Sequence, residues 1–267
     1  MDAHIAQITN AGFTVLPLFA PHDLVQLRQH LQAWNSAQIA PSSFTTPVQT
    51  RIPELLTVPE PGDVTLIVTH PALLALMKAV LGPDIRLAAL GANTLTPQDG
   101  TVPMGPWHID YPYREPFLIG QRMPSPELPV GIQVVLAVDD FTLTNGATEV
   151  LPGSHCKVPP GMLGHDGSLP GAIQVQVPAG HALIMHGALW HRQRPNVSPH
   201  PRHAILATYT PEWVCPQDNM EGQLHAILHS HHLAPDVEQI LRELLLGRHA
   251  RGASMCGLQL RDVHSIT

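Results

Sequence analysis

The chain has little charge and little cysteine, and each shortage narrows what it can be. Only 13% of its residues are charged, acids outnumber bases 21 to 14, and no basic run occurs, for a net charge of −7. Polyanions are held by clustered cations, so nucleic acid and an anionic membrane surface are disfavoured as main partners. The three cysteines, Cys156, Cys215 and Cys256, are odd in number and widely spaced. They provide neither a disulfide framework nor a Cys-x-x-Cys metal site. No apolar run approaches the length that crosses a bilayer. The opening Met1-Asp2-Ala3-His4 lacks the positive region and apolar stretch of a secretory leader. These absences lead to the expectation of a reducing, cytoplasmic setting, which suits a site that must keep a metal reduced.

What the chain does have is proline, 28 of them, and a hydrophobic content of 44%. The first implies many loops and interrupted elements; the second is sufficient for a real core. Gly12 to Leu16 reads as a short strand, and Pro21 opens a helix with Leu24, Leu27, Leu31 and Trp34 on one face. Asn35 to Pro61, rich in Ser, Thr and Pro, reads as loop. Pro71 to Leu81 repeats the helical spacing and stops at Gly82-Pro83. Strands are then expected at Ile85–Leu90, Val130–Val138, Ile173–Val177, His181–Met185 and Ala204–Tyr209, several of them apolar on both faces as in buried strands. A last helix runs from Asp236 to Gly247. Strands in the middle and helices at both ends predict a β core with helices packed on one face, in a single domain spanning residues 1–267.

The most informative stretch is Pro106-Trp107-His108-Ile109-Asp110-Tyr111. Alternation at a strand end puts His108 and Asp110 on the same side. In a chain with 18 histidines such a triplet alone is weak; its force comes from Leu189-Trp190-His191, followed by Asn196, Ser198 and Arg202. Two histidines and one carboxylate can occupy one face of an octahedral Fe(II) ion and leave three adjacent positions open for a chelating cosubstrate and O2. An arginine soon after the second histidine supplies a fixed, bidentate cation for a carboxylate-bearing cosubstrate. The set predicts an oxygenase using Fe(II), 2-oxoglutarate and O2. His186, nearer the preceding strand, is the rival to His191, which is preferred for the residues that follow it. Zinc is the rival metal, but zinc hydrolases usually add a general base, often in His-Glu-x-x-His, and no such motif is present. His155, in the turn Pro152-Gly153-Ser154-His155, reads as architectural. Tyr111, Tyr113 and Arg114 closely follow the metal motif and are expected at the substrate entrance, as are Trp213, Phe117 and the loop from Ile119 to Pro129.

These stretches resemble the phytanoyl-CoA dioxygenase family of Fe(II)/2-oxoglutarate oxygenases. The pattern matches at Trp107–Asp110, through the eleven residues from Asn145-Gly146-Ala147-Thr148 to Pro152-Gly153-Ser154-His155, and at Trp190–Ser198 with Arg202; it covers residues 85–213. The resemblance implies a mainly β (α+β) fold: a double-stranded β-helix, or jelly roll, with flanking helices at both ends and iron at one mouth. It implies His108, Asp110 and His191 as the iron ligands, with no catalytic side chain beyond them. Arg202 would pair with the distal carboxylate of 2-oxoglutarate, helped by Thr148, and Asn93 and Gln133 would be further cosubstrate contacts. Related halogenases have a small residue at the position of Asp110, so hydroxylation or a related oxidation is favoured, with release of succinate and CO2. The expected substrate is a small molecule, of secondary-metabolite or amino-acid-like type. The alternatives are an acyl-CoA hydroxylase, for which no basic cluster suited to the CoA phosphates is evident, and a non-catalytic metal-binding jelly-roll protein.

Overall fold

A computed structural model describes residues 1–37, 44–101, 105–113, 128–157 and 167–247. Helix α1 (Asp2–Ala11) ends at Gly12, whose φ of 87° turns the chain into strand β1 (Phe13–Pro17). A 3-10 turn at Pro21–Leu24 feeds α2 (Val25–Ala37), which buries Leu27, Leu31 and Trp34 as the spacing predicted. The stretch read as loop instead contributes a hairpin, β2 (Phe44–Thr45) and β3 (Gln49–Pro53), and a 3-10 turn at Leu55–Thr57. Its Thr and Pro content masked a strand that is polar on the face turned to a cavity. Helices α3 (Gly62–Val68) and α4 (Pro71–Leu81) follow; Pro71 starts α4 and Gly82 ends it. The remaining strands are β4 (Ile85–Leu95), β5 (Ile132–Ala137), β6 (Glu149–Val150), β7 (Ile173–Gln174), β8 (His181–His186), β9 (His191–Arg192) and β10 (Arg202–Pro211). Helix α5 (Met220–Ser230), capped by the Asn219 side chain accepting from the Gly222 N–H, and α6 (Pro235–Leu246) close the described chain.

All strand pairing among the described residues is antiparallel. Seven strands form one sheet in the order β1-β8-β5-β10-β4-β3-β2, and three form a second in the order β7-β6-β9. An isolated bridge between His108 and His191 extends the small sheet beyond β9. The two faces of the large sheet are read off the two-residue alternation. On one face Ile132, Val134, Leu136, Ala182, Ile184, Ile205, Ala207 and Tyr209 join the main core with Leu27, Leu31, Leu73, Met77, Leu224, Leu241 and Leu244 of the helices. On the other, Val135, Ala137, Leu183, Met185 and Ala204 pack with Phe141, Ala147, Val150, Val175, Val177 and Leu189 from the small sheet and its loops. The protein is therefore an α+β fold with the helices over one face of the large sheet and the small sheet over the other. No single helix among the described residues is long and apolar enough to cross a membrane.

Candidate metal centre and its cavity

The two sheets do not fill the space between them. The inner faces of β3, β4, β5 and β10 and the edge of the small sheet enclose a cavity of about 510 Å³. His108, Asp110 and His191 project into it from the small-sheet side. The backbones of His108 and His191 exchange both hydrogen bonds, at 2.9 and 3.0 Å, which places their rings side by side with centroids 4.4 Å apart. Asp110 is fixed by its N–H donating to the Gly187 carbonyl at 2.8 Å. One candidate ligand atom from each of the three lies within 4.8 Å of the others, and the Nε2 of His191 is 3.3 Å from the carboxylate of Asp110. Ligands at right angles on an ion with bonds of about 2.1 Å are roughly 3 Å apart, so the spacing suits a shared divalent metal.

The tautomers support the same reading. Nδ1 of His108 lies 3.0 Å from the Pro106 carbonyl, and Nδ1 of His191 lies 2.9 Å from the Leu189 carbonyl. A carbonyl only accepts, so both Nδ1 atoms carry the proton and both Nε2 atoms keep a lone pair for a metal. Next to the ligands, Arg192 stacks over the Trp107 ring at 4.6 Å and pairs with Glu149 at 2.6 Å, which ties the two ligand-bearing segments together.

His186 lies elsewhere. It is buried against Tyr113 and His155, and its Nδ1 accepts the Ala188 N–H. Burial, and then neighbouring His155, push its pKa down to about 3. It is a neutral core histidine. His155 Nε2 donates to the Thr9 carbonyl at 3.0 Å, since a carbonyl only accepts. The same turn receives the Trp190 N–H on Ser154 Oγ and gives the Gly153 N–H to the Ala11 carbonyl. This turn joins the end of α1 to the residue beside His191.

Arg202, at the start of β10, is the charged group of the opposite wall. It is 3% exposed, donates from Nη1 to the Gly146 carbonyl at 2.6 Å and lies over the Phe141 ring at 4.0 Å. Its Nε is buried with no hydrogen-bond partner. Gly146 can present that carbonyl because its φ is +84°; a Cβ there would sit 2.6 Å from Leu95 Cδ1 and 2.7 Å from the Arg194 carbonyl. Asn93 and Gln133 also line the cavity, as do Thr148 and Tyr111. Asn93 donates to Gln193 Oε1 at 3.2 Å and leaves its own Oδ1 buried and unpartnered. A buried cation with a spare N–H fits a carboxylate, while the orphaned Asn93 Oδ1 needs a donor.

Two expected entrance residues lie away from the cavity. Tyr113 is fully buried in a cluster with Trp107, Ile109, Ala188 and Trp190, and its hydroxyl accepts the Val130 N–H. Trp213 is 76% exposed on the surface after β10. Neither is among the residues lining the cavity, so both are packing or surface side chains, and proximity in sequence to the metal motif was a poor guide. Arg114, Phe117 and residues 119–127 lie outside the described residues. The cavity also takes in Arg51, Gln193 and Asp218, which were not anticipated. Arg51 had a usable signal, the alternation of Gln49, Arg51 and Pro53, which all face one way on β3.

Comparison with known proteins agrees with the geometry. The pattern that defines the phytanoyl-CoA dioxygenase family matches residues 9–204. The chain belongs to that family. This phytanoyl-CoA dioxygenase family member is 30% identical over 152 residues to the dioxygenase andF of Emericella variicolor, an alignment covering 54% of this chain and 49% of andF. It thus spans about half the length of that curated relative. Among solved structures it is similar to HygX of Streptomyces hygroscopicus with nickel and 2-oxoglutarate bound (TM-score 0.64, 17% identity, 82% of this chain and 90% of that one). It is also similar to SnoN, a non-heme α-ketoglutarate-dependent epimerase from nogalamycin biosynthesis (TM-score 0.61, 18% identity, 79% of this chain and 82% of that one).

Proposed function

We propose that this family member is an Fe(II)- and 2-oxoglutarate-dependent oxygenase that hydroxylates a C–H bond of a small molecule of secondary-metabolite or amino-acid-like type. We further propose that residues 1–267 form one domain, with the two facing sheets as a double-stranded β-helix. The observation that carries the reading is Arg202: a guanidinium 3% exposed, with an unpartnered Nε, in the wall of the same cavity as the His108–Asp110–His191 set. A protein that only stored a metal would have no use for a costly buried cation opposite it.

Each side chain then has a role. His108 and His191 would hold the metal through Nε2, their rings fixed by the Nδ1–H bonds to Pro106 and Leu189. Asp110 would supply the carboxylate, filling the position that a halide would need; this favours hydroxylation over halogenation. Arg202 would hold the far carboxylate of 2-oxoglutarate, with Thr148 beside it and the Asn93 amide nearby. When bound, Fe(II) and 2-oxoglutarate supply the activation of O2 and the oxidation, with succinate and CO2 released. The apolar wall of Val135, Met185, Ala204 and the partly buried Leu206 restricts water around the reacting groups.

An anaerobic absorption titration tests this. Adding Fe(II) and then 2-oxoglutarate should produce a visible metal-to-ligand charge-transfer band, and His191→Ala should abolish it. Folded, metal-loaded protein without the band would refute the oxygenase reading and favour a zinc hydrolase or a metal-binding module.

A further inference from the structure

The charged groups lining the cavity sit at different points along β4. Apart from the metal set, and from Arg192, which is paired with Glu149, the charged lining groups are Arg51, Arg202 and Asp218. Arg202 pairs in register with Leu95 and Arg51 with Asn93. Asp218 sits midway along the same strand, where its Oδ2 accepts the Leu90 N–H at 2.9 Å. Leu90 is roughly 16 Å along β4 from Leu95. We propose that Asp218 is the recognition subsite for a protonated amine on the substrate, and that the Gln133 amide takes an oxygen of the same molecule. The proposal rests on reading the cavity as the active site, and it narrows the substrate to an amino alcohol or similar cationic, hydroxylated molecule.

Asp218 is a pinned rim residue rather than a loose surface acid. Its own N–H and that of Gln217 both donate to the Ala88 carbonyl, at 3.0 and 2.8 Å. The Tyr111 hydroxyl donates to the Cys215 carbonyl, fastening the segment after the metal ligands to the same loop. Asp218 Oδ1 has no hydrogen bond within the described structure, so the carboxylate keeps a free acceptor while its other oxygen is held. Burial raises the Asp218 carboxyl above the usual carboxylate range; the Leu90 N–H offsets part of this, and Glu54 raises it again by repulsion. A cation placed against Asp218 would relieve both the burial and the repulsion.

The second observation is independent of the acids. Gln133 is 8% exposed and lines the cavity. It is paired in register with Thr208, which pairs in turn with Ala89, next to the strand residue that Asp218 holds. The Thr208 hydroxyl donates to Gln133 Oε1 at 2.6 Å, which turns the amide and leaves Nε2 with no partner within the described structure. An amide N–H pair without an acceptor, on a residue lining the cavity, can donate to an oxygen of a ligand. An acceptor for a cation and a donor for an oxygen in the same cavity together describe a molecule bearing both groups.

Ligand-observed NMR on the full chain, with and without 2-oxoglutarate, tests the subsite with three molecules sharing one ring: 2-amino-1-phenylethanol, 1-phenylethanol and mandelate. With 2-oxoglutarate present the amino alcohol should bind about tenfold more tightly than the neutral alcohol. Asp218→Asn, which keeps an oxygen for the Leu90 N–H, should remove that advantage, and Glu54→Gln should reduce it. Equal binding of the three, preference for mandelate, no binding of the amine, or an amine preference that survives Asp218→Asn would overturn the proposal. If Asp218→Asn fails to fold, the wild-type ranking and Glu54→Gln still decide. The charge-transfer band of the wild type reports the oxygenase reading separately: a band without amine preference sinks the subsite alone, and amine preference without a band sinks the oxygenase.

Discussion

Replacing Arg202 by methionine should separate ligand binding from stability. The side chain is completely enclosed, and burial, reinforced by Arg51 and partly offset by Asp139, lowers its pKa to about 9. At about 1.4 kcal/mol per tenfold change in ionisation, holding the bare charge there costs about 5 kcal/mol. Against this stand the charged hydrogen bond to Gly146, worth about 1.5–3 kcal/mol, and the stacking on Phe141, worth about 1–2 kcal/mol. Methionine fills similar volume without the charge, so urea unfolding should show the variant unchanged or more stable by up to about 2 kcal/mol. Binding of 2-oxoglutarate should respond in the opposite direction. Loss of a buried, charge-assisted contact worth about 3 kcal/mol weakens it roughly 150-fold, read by anaerobic titration of the charge-transfer band. A methionine variant that loses more than about 2 kcal/mol yet still gives the band at wild-type 2-oxoglutarate concentrations would show Arg202 to be a structural cation.

Three further outcomes follow from the same geometry. His191→Ala should abolish metal binding in calorimetric titration, whereas His186→Ala should leave it intact and cost about 2–3 kcal/mol in urea unfolding, since His186 is a buried core ring; equal metal loss in both would contradict the assignment. Gly146→Ala should destabilise by about 2 kcal/mol or more and weaken 2-oxoglutarate binding, because φ there is +84° and the added Cβ meets Leu95 and Arg194; wild-type behaviour in both assays would remove Gly146 as the anchor of Arg202. Burial would raise the Asp139 carboxyl, but His203, through its ring and its backbone N–H, and Arg28 hold it below the usual range. That stabilisation is full above the unfolded pKa of about 3.9 and is lost as pH falls through the lower folded value. Asp139→Asn should therefore lose stability at neutral pH and show a flatter acid limb in thermal melts from pH 6 to pH 2; an unchanged slope would refute the linkage.

Elements whose signal is local were legible in the chain. Pro71 and Gly82 bound α4, and the steps of three and four between Leu27, Leu31 and Trp34 mark the buried face of α2. The strands β5, β8 and β10 lie where apolar runs sit between turn residues, and Arg202 begins β10 as expected. Helices α1, α3 and α5 went unread. α5 had a readable start in Asn219 ahead of Met220, Leu224 and Ile227, whereas α3 is a short, almost wholly apolar segment with no face to find. The metal set was legible because its chemistry needs particular residue types, and because a His-x-Asp pair reaches one side of a strand whatever the rest of the fold does.

What the sequence by itself determined is therefore the set His108, Asp110 and His191, the arginine that follows it, and the alternation of helices and strands around them. Tertiary structure decided which of the other polar residues share their cavity. Arg51 faces it because β3 pairs with β4 in the register that sets Arg51 against Asn93. A slip of one residue would have turned the side chain to the opposite face. Gln193 and Asp218 reach the same space from segments that precede and follow β10, while Tyr113, three residues after Asp110, turns into the core. Spacing along a chain fixes side only within one element. Which side faces a ligand is set by pairing with strands more than a hundred residues away, and only the assembled sheets hold that information.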